Sequence, residues 1–224
     1  MTPEQQKDAH CLWQSVQNVL RMEPQLNALM DYLSEEVQSM NWDDGSACWN
    51  NKVESYYGRK TLITATVIAH ADIFRRGSGQ KGPSDNQFGS LSFQLVLGNP
   101  ELIDESADWP WRKQPSLIAG WNKYHDADGW EKGNYWLYDN FDPIGDAVNH
   151  PVKCLKQRSE DGRVWGWHED GKWAQGKGFF ALPVFALEDE ADLKSHVVEP
   201  LNALFEGKTA EEAFPHDSPV FRFG

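Results

Sequence analysis

Thr61–Arg76 reads TLITATVIAHADIFRR. Ile63, Ala65, Val67, Ala69, Ala71 and Ile73 fall on one side of an extended chain. Thr64, Thr66, His70 and Asp72 fall on the other, together with Leu62 and Ile68. Successive side chains of a strand point to opposite faces, so this period of two predicts a half-buried strand. The β-branched residues suit such a pleated surface. Its polar side brings His70 and Asp72 onto one face, two residues apart, where both can reach one site. The plain account of such a pair is a satisfied hydrogen bond.

Moving outward, Phe88–Leu97 alternates in the same way. Leu91, Phe93, Leu95 and Leu97 oppose Ser90, Ser92 and Gln94. The loop between these two strands, RRGSGQKGPSDNQ, contains GSGQKG at 77–82. That matches GxGxxG literally, but Pro83 follows and no helix pattern opens, so a dinucleotide fingerprint is excluded by context. It reads as a hairpin tip with a local positive spot from Arg75, Arg76 and Lys81.

Further strands are predicted at Ser116–Tyr124 and Asn134–Phe141. A meander follows at Val152–Arg158, Arg163–His168 and Lys172–Leu187, with Asp-Gly turns at 161–162 and 170–171. Centring a hairpin on Asp161-Gly162 sets residue 158 opposite 165 and 156 opposite 167. Trp165 and Trp167 then share one face with Lys156 and Arg158 across from them. The run Phe179–Leu187, FFALPVFAL, reads as buried on both faces, with Pro183 marking a bulge or an edge. Upstream, Trp42–Gly58 shows no regular pattern beyond a turn signal at Asp44-Gly45.

Helices flank the strands. Thr2-Pro3 resembles a helix start, and Leu12, Val16, Val19 and Leu20 form its apolar face. Glu23-Pro24 predicts a break. Leu26, Leu29, Met30, Leu33, Val37 and Met40 then form a second stripe at helical spacing. Near the other end, Glu188-Asp189-Glu190 places negative charge at the start of a helix. Leu193, Val197, Leu201, Leu204 and Phe205 supply its buried side, Pro200 predicts a kink and Gly207 an end. Lys208–Gly224 is a tail with one helical turn at Ala210–Ala213. The expected fold is a single α+β domain over 1–224. A mostly antiparallel sheet of six to eight strands spans 61–187. An N-terminal pair of helices (1–41) and one C-terminal helix (188–207) flank it, and 208–224 trails off.

Composition narrows the function classes. The 224 residues carry a formal net charge of −13 with 40% hydrophobic residues, enough for a core. An acidic surface disfavours nucleic-acid backbones and anionic membranes, and suits a basic protein partner. The three cysteines, Cys11, Cys48 and Cys154, show no zinc spacing, and the polar N-terminus and lack of long apolar runs point to a cytoplasmic protein. No metal or cofactor motif is present: the aspartates at 126, 128, 139, 142 and 146 do not fit a calcium loop.

Eight of the eleven tryptophans lie between Trp109 and Trp173. Trp121, Trp130, Tyr135 and Trp136, beside Asn122, Asp126 and Asp128, are the candidate binding residues. Aromatic platforms with carboxamide and carboxylate neighbours suit stacking on sugars or bases. The same tryptophans also serve as core.

Gly45-Ser46-Ala47-Cys48-Trp49 resembles the papain-like signature before the catalytic cysteine. Asn149-His150-Pro151-Val152 resembles that family's histidine segment, and VWGWHEDGKWAQGKGFF its Trp-Gly segment. The resemblance implies a cysteine hydrolase with Cys48 as nucleophile and His150 as base. It covers three short patches and departs from the family's pattern. Arg163-Val164 stand where an orienting Asn is expected, and no Gln precedes Cys48 closely. The residues after Cys48 do not make the long helix that carries the nucleophile. The plain alternative is Cys48 as a buried small residue. The leading expectation is thus an acidic, non-catalytic interaction protein for a protein partner or small ligand, immunity- or inhibitor-like, with the hydrolase and the stacking module as alternatives.

Overall fold

The computed structural model describes residues 3–57, 65–75, 87–96, 114–124, 157–166 and 174–222. The chain divides into two compact units, Met1–Glu35 and Glu36–Gly224.

The first unit is helical. It belongs to α1, which runs Pro3–Ser39 as one helix with Pro24 inside it. This corrects the expected pair of N-terminal helices. Proline in a helix interior removes one hydrogen bond and crowds the preceding turn, at roughly 3 kcal/mol. That penalty is local. The straight-chain residues on both sides, such as Glu, Gln, Met and Leu, each continue the helix at little cost. Met30, Leu33 and Val37 are buried, as the stripe predicts.

The second unit is built on one open antiparallel sheet. Its five long strands are β1 (Gly45–Tyr57), β2 (Ala65–Arg75), β3 (Gln87–Val96), β4 (Ser116–Tyr124) and β7 (Ala174–Pro183). The two-residue strands β5 (Gln157–Arg158) and β6 (Trp165–Gly166) extend it. The spatial order is β1-β2-β3-β4-β7-β6-β5. Arg158 pairs with Trp165, the register that the Asp161-Gly162 turn implies. That turn is well anchored. Burial opposes the charge of Asp161, but hydrogen bonds from Ser159 and Arg163 outweigh it and hold the carboxyl below its ordinary range. Gly162 takes φ 73°, a left-handed conformation that glycine adopts without steric cost.

β1 occupies the stretch that reads as irregular. Two features hide it. A register shift between Asn50 and Glu54 breaks the alternation, and its outward residues Ser46 and Cys48 are exposed at the sheet edge. Asp43 and Asp44, at φ 50° and 65°, form the tight turn that leads into it. Trp42 and Gly45 exchange backbone hydrogen bonds across that turn, the arrangement expected of a primed hairpin turn.

The strand register sorts the sheet into two faces. One is apolar. Ala69, Ala71 and Ile73 of β2 lie beside Leu91, Phe93 and Leu95 of β3, then Leu117, Ala119 and Trp121 of β4, then Phe180 and Leu182 of β7. All of these are buried. The C-terminal helical segment covers this face. It begins at α2 (Glu190–Leu193), whose Asp189 N-cap accepts from the Asp192 backbone N–H, and passes through a π segment (Lys194–Val198) into α3 (Glu199–Phe205). The π segment stands where Pro200 predicts a kink: the Glu199 N–H bonds back to the Lys194 carbonyl, so one wide turn absorbs the missing proline donor. Gly207, at φ 95°, ends the helix, and Lys208 N–H donates to Ala203 O and Gly207 N–H to Leu204 O, the pattern of a Schellman cap.

Phe205 is the hub. It meets Trp42 and Phe88 edge-on, with centroids 5.8 and 5.7 Å apart. A Cβ on Gly89 would lie 2.5 Å from its ring, so glycine is needed there for the helix to reach the sheet. Further along, α4 (Ala210–Ala213) starts with a complete capping box between Thr209 and Glu212. Phe214 beyond it packs on Phe180 at 4.9 Å. Arg163 stacks over Phe214 and donates to the carbonyls of Ala210 and Pro215, tying the Asp161 turn to the tail.

The run Phe179–Leu187 does not continue as a buried strand. Pro183 closes β7, a turn of 3-10 helix covers Val184–Ala186, and Phe185 is 75% exposed. Proline lacks the N–H that a continuing ladder needs, which is why the apolar run leaves the sheet there. Among the described residues no helix is long and apolar enough to cross a membrane.

Candidate functional site

The other face of the sheet is polar. Its residues form rows, because partners in adjacent antiparallel strands stand side by side about 4.8 Å apart. The central row runs Cys48, Asp72, Ser90, Asn122, Lys177 across β1, β2, β3, β4 and β7. The next row holds Asn50, His70, Ser92, Gly120 and Phe179. Two residues further along β3 stands Gln94, opposite Ile118. Five positions of the local pattern, His70, Asp72, Ser90, Ser92 and Gln94, are thus drawn together with Cys48 and Asn122 by strand pairing.

Burial deepens along the central row. Cys48 is exposed, Asp72 half-buried, and Ser90 and Asn122 buried. The groups are partly committed to one another. Gln87 Nε2 donates to Asp72 Oδ1 at 2.7 Å and lies 3.4 Å from Gly89 O. The hydroxyls of Ser90 and Tyr124 share a hydrogen bond of 2.9 Å. Burial pushes the Tyr124 phenol well above its usual range, and the bond from Ser90 only partly offsets this. It therefore stays protonated and able to donate. Burial also raises the Asp72 carboxyl above its ordinary value, against the opposing charge of His70 and the bond from Gln87.

Two acceptors are not committed. Asn122 Oδ1 and Gln94 Oε1 are buried without a hydrogen-bond partner, in residues that are 1% and 2% exposed. Leaving a buried polar atom unpaired costs about 1–3 kcal/mol. Both stand on the polar face of the sheet, where a donor brought from outside would satisfy them.

The sequence-derived sites fare differently. Trp121 is 6% exposed and lies on the apolar face, in register with Leu91 and Gly178, so it contributes to the core. Its neighbour Asn122 points to the polar face. Trp130, Tyr135, Trp136, Asp126 and Asp128 lie outside the described residues, as do His150, Cys154 and the glycine loop at 77–82. Cys48 is not the buried small residue of the plain reading. It is exposed on β1, because β1 is an edge strand. It also sits on a strand, with the Asp72 carboxylate opposite, where the papain-like resemblance implies a helix. Among the described residues no group of His, Cys, Asp or Glu is arranged to hold a metal.

Ser90 and Gln94 belong to the polar face although their types alone carry no functional signal. The available clue is that the polar side of β3 is uninterrupted in a strand whose other side is core. Comparison with known proteins returns no matching family, no matching curated protein and no matching solved structure.

Proposed function

We propose that this chain is a non-catalytic binding protein that seats a small ligand on the polar face of its sheet. Asp72 and Asn122 make the contacts, and Gln87, Ser90 and Tyr124 hold them in place. The observation that carries this reading is the Asn122 side chain, buried in the centre of a polar row with its carbonyl oxygen unpaired. A small ligand is favoured over a protein partner for the same reason. The unpaired atoms lie below the surface, at a depth that suits a small molecule better than a side chain of a folded partner.

The test compares wild type with Asn122→Leu. Leucine matches asparagine in size and removes an unpaired polar group, so stability should be unchanged or higher. Ligand-observed NMR against a library of polar metabolites should find binders of the wild type that Asn122→Leu no longer holds. Binders that are indifferent to Asn122→Leu and to Asp72→Asn would remove the polar face from consideration.

A further inference from the structure

We infer that the polar face takes a short organic cation, an amine or guanidine with a second hydrogen-bond donor several atoms from the charge. The inference rests on the binding reading above and names the chemistry of its ligand.

The inventory of the face leads there. The Gln87 amide is given to Asp72 and the Gly89 carbonyl, and one hydrogen bond joins the Ser90 and Tyr124 hydroxyls. Among the described residues, the buried atoms of this face that lack a partner, Asn122 Oδ1 and Gln94 Oε1, are both acceptors. Asp72 Oδ1 is used by Gln87, which leaves Oδ2 of the same carboxylate. Asn122 Oδ1 has no partner. A ligand that satisfies both must bring donors, and next to a carboxylate the stronger donor is a cation. Burial of the Asp72 carboxylate has the same implication: its charge has lost water without gaining a full counter-charge, as the raised pKa records. The net charge of −13 adds a field that concentrates cations around the protein.

Spacing sets the ligand's length. Asp72 and Asn122 stand in one row, with Ser90 of β3 between them. Two interstrand spacings separate their backbones by about 10 Å, a gap that a four-carbon chain with a hydrogen bond at each end spans. One end of such a chain meets the carboxylate and the other the carboxamide. Among the described residues, His70, two positions away on the same strand, is the charged group that acts on Asp72.

The experiment titrates the full chain with putrescine, the neutral diol of equal length, and succinate, by calorimetry at neutral pH. Putrescine should bind at least tenfold more tightly than the diol, and succinate should not bind. Asp72→Asn should weaken putrescine at least tenfold and bring it level with the diol. Asn122→Leu should weaken both putrescine and the diol. If the diol matches putrescine, or succinate binds best, with either lost in Asn122→Leu, the cation inference is overturned while the polar face stands as a site. If none of the three binds the wild type, the inference fails, and the metabolite library then decides the binding reading by itself. Circular dichroism of both variants, with melting at or above the wild-type temperature, separates lost contacts from lost fold.

Discussion

The two faces of the sheet use the same strands to opposite ends. On the apolar face large side chains pack ring to ring and onto glycine: Phe205 against Gly89 and Trp42, Phe214 against Phe180, Trp49 against Phe93. On the polar face, buried side chains keep acceptors without donors at Asn122 and Gln94. Both faces are buried over β3 and β4. Burial by itself therefore does not separate core from site in this protein. What separates them is how each is closed: rings of the helical cover close the apolar face, while the polar face keeps two carboxamide oxygens without donors.

The comparison breaks most sharply at Phe205. Replacing it with alanine empties the space shared with Trp42 and Phe88 and should cost about 3–5 kcal/mol, measured by chemical denaturation. A loss under about 1 kcal/mol would mean that the helical cover is not what completes the apolar face. Gly89→Ala should follow, at about 1–3 kcal/mol, because the added methyl meets the Phe205 ring and approaches Asn122 O to 3.0 Å. Phe205→Leu should relieve part of this in the double variant.

On the polar face the sign changes. Asn122→Leu and Gln94→Leu should be neutral or stabilise by up to about 1 kcal/mol, since each removes an unpaired buried group. Losses as large as those of the apolar face would show that these carboxamides are structural after all. The smallest effect is the pH dependence of Asp72. Its carboxyl is raised above the ordinary 3.8, chiefly by burial. The folded chain then binds this proton more tightly than the unfolded chain. The contribution to stability is fully present below 3.8 and is lost as pH rises through the raised value. Asp72→Asn keeps the acceptor for Gln87 and removes the charge. It should therefore be more stable than wild type at neutral pH, with the difference shrinking as pH falls toward 3.8. A difference independent of pH would show that the folded and unfolded carboxyls titrate alike.

Much of the fold was legible. Ser116–Tyr124 forms β4 with the expected limits, β3 lies within one residue of the expected start and end, and Arg158 faces Trp165. These depend on alternation and on turn residues, both of which are local. The errors fell where a local signal was outweighed or hidden. Pro24 sits in a continuous helix because one proline does not outweigh the helix formers around it. β1 carries no alternation to read, because a register shift and an exposed edge erase it. The site was legible in part. Spacing alone puts His70 and Asp72 on one face, and Asn122 stands out in the sequence beside Trp121. The pairing that gives them meaning was not visible.

What the sequence alone determined is which side of each strand is apolar, since alternation is written in consecutive residues. It also determined the helix start at Glu188-Asp189-Glu190 and the helix end at Gly207, where the signals lie within a few positions of each other. Only the tertiary structure decided that Cys48, Asp72, Ser90, Asn122 and Lys177 stand in one row. The physical reason is register. A one-residue slip of any strand would send its residues to the opposite face, and nothing local in Ser90 or Asn122 records which partner strand holds them there.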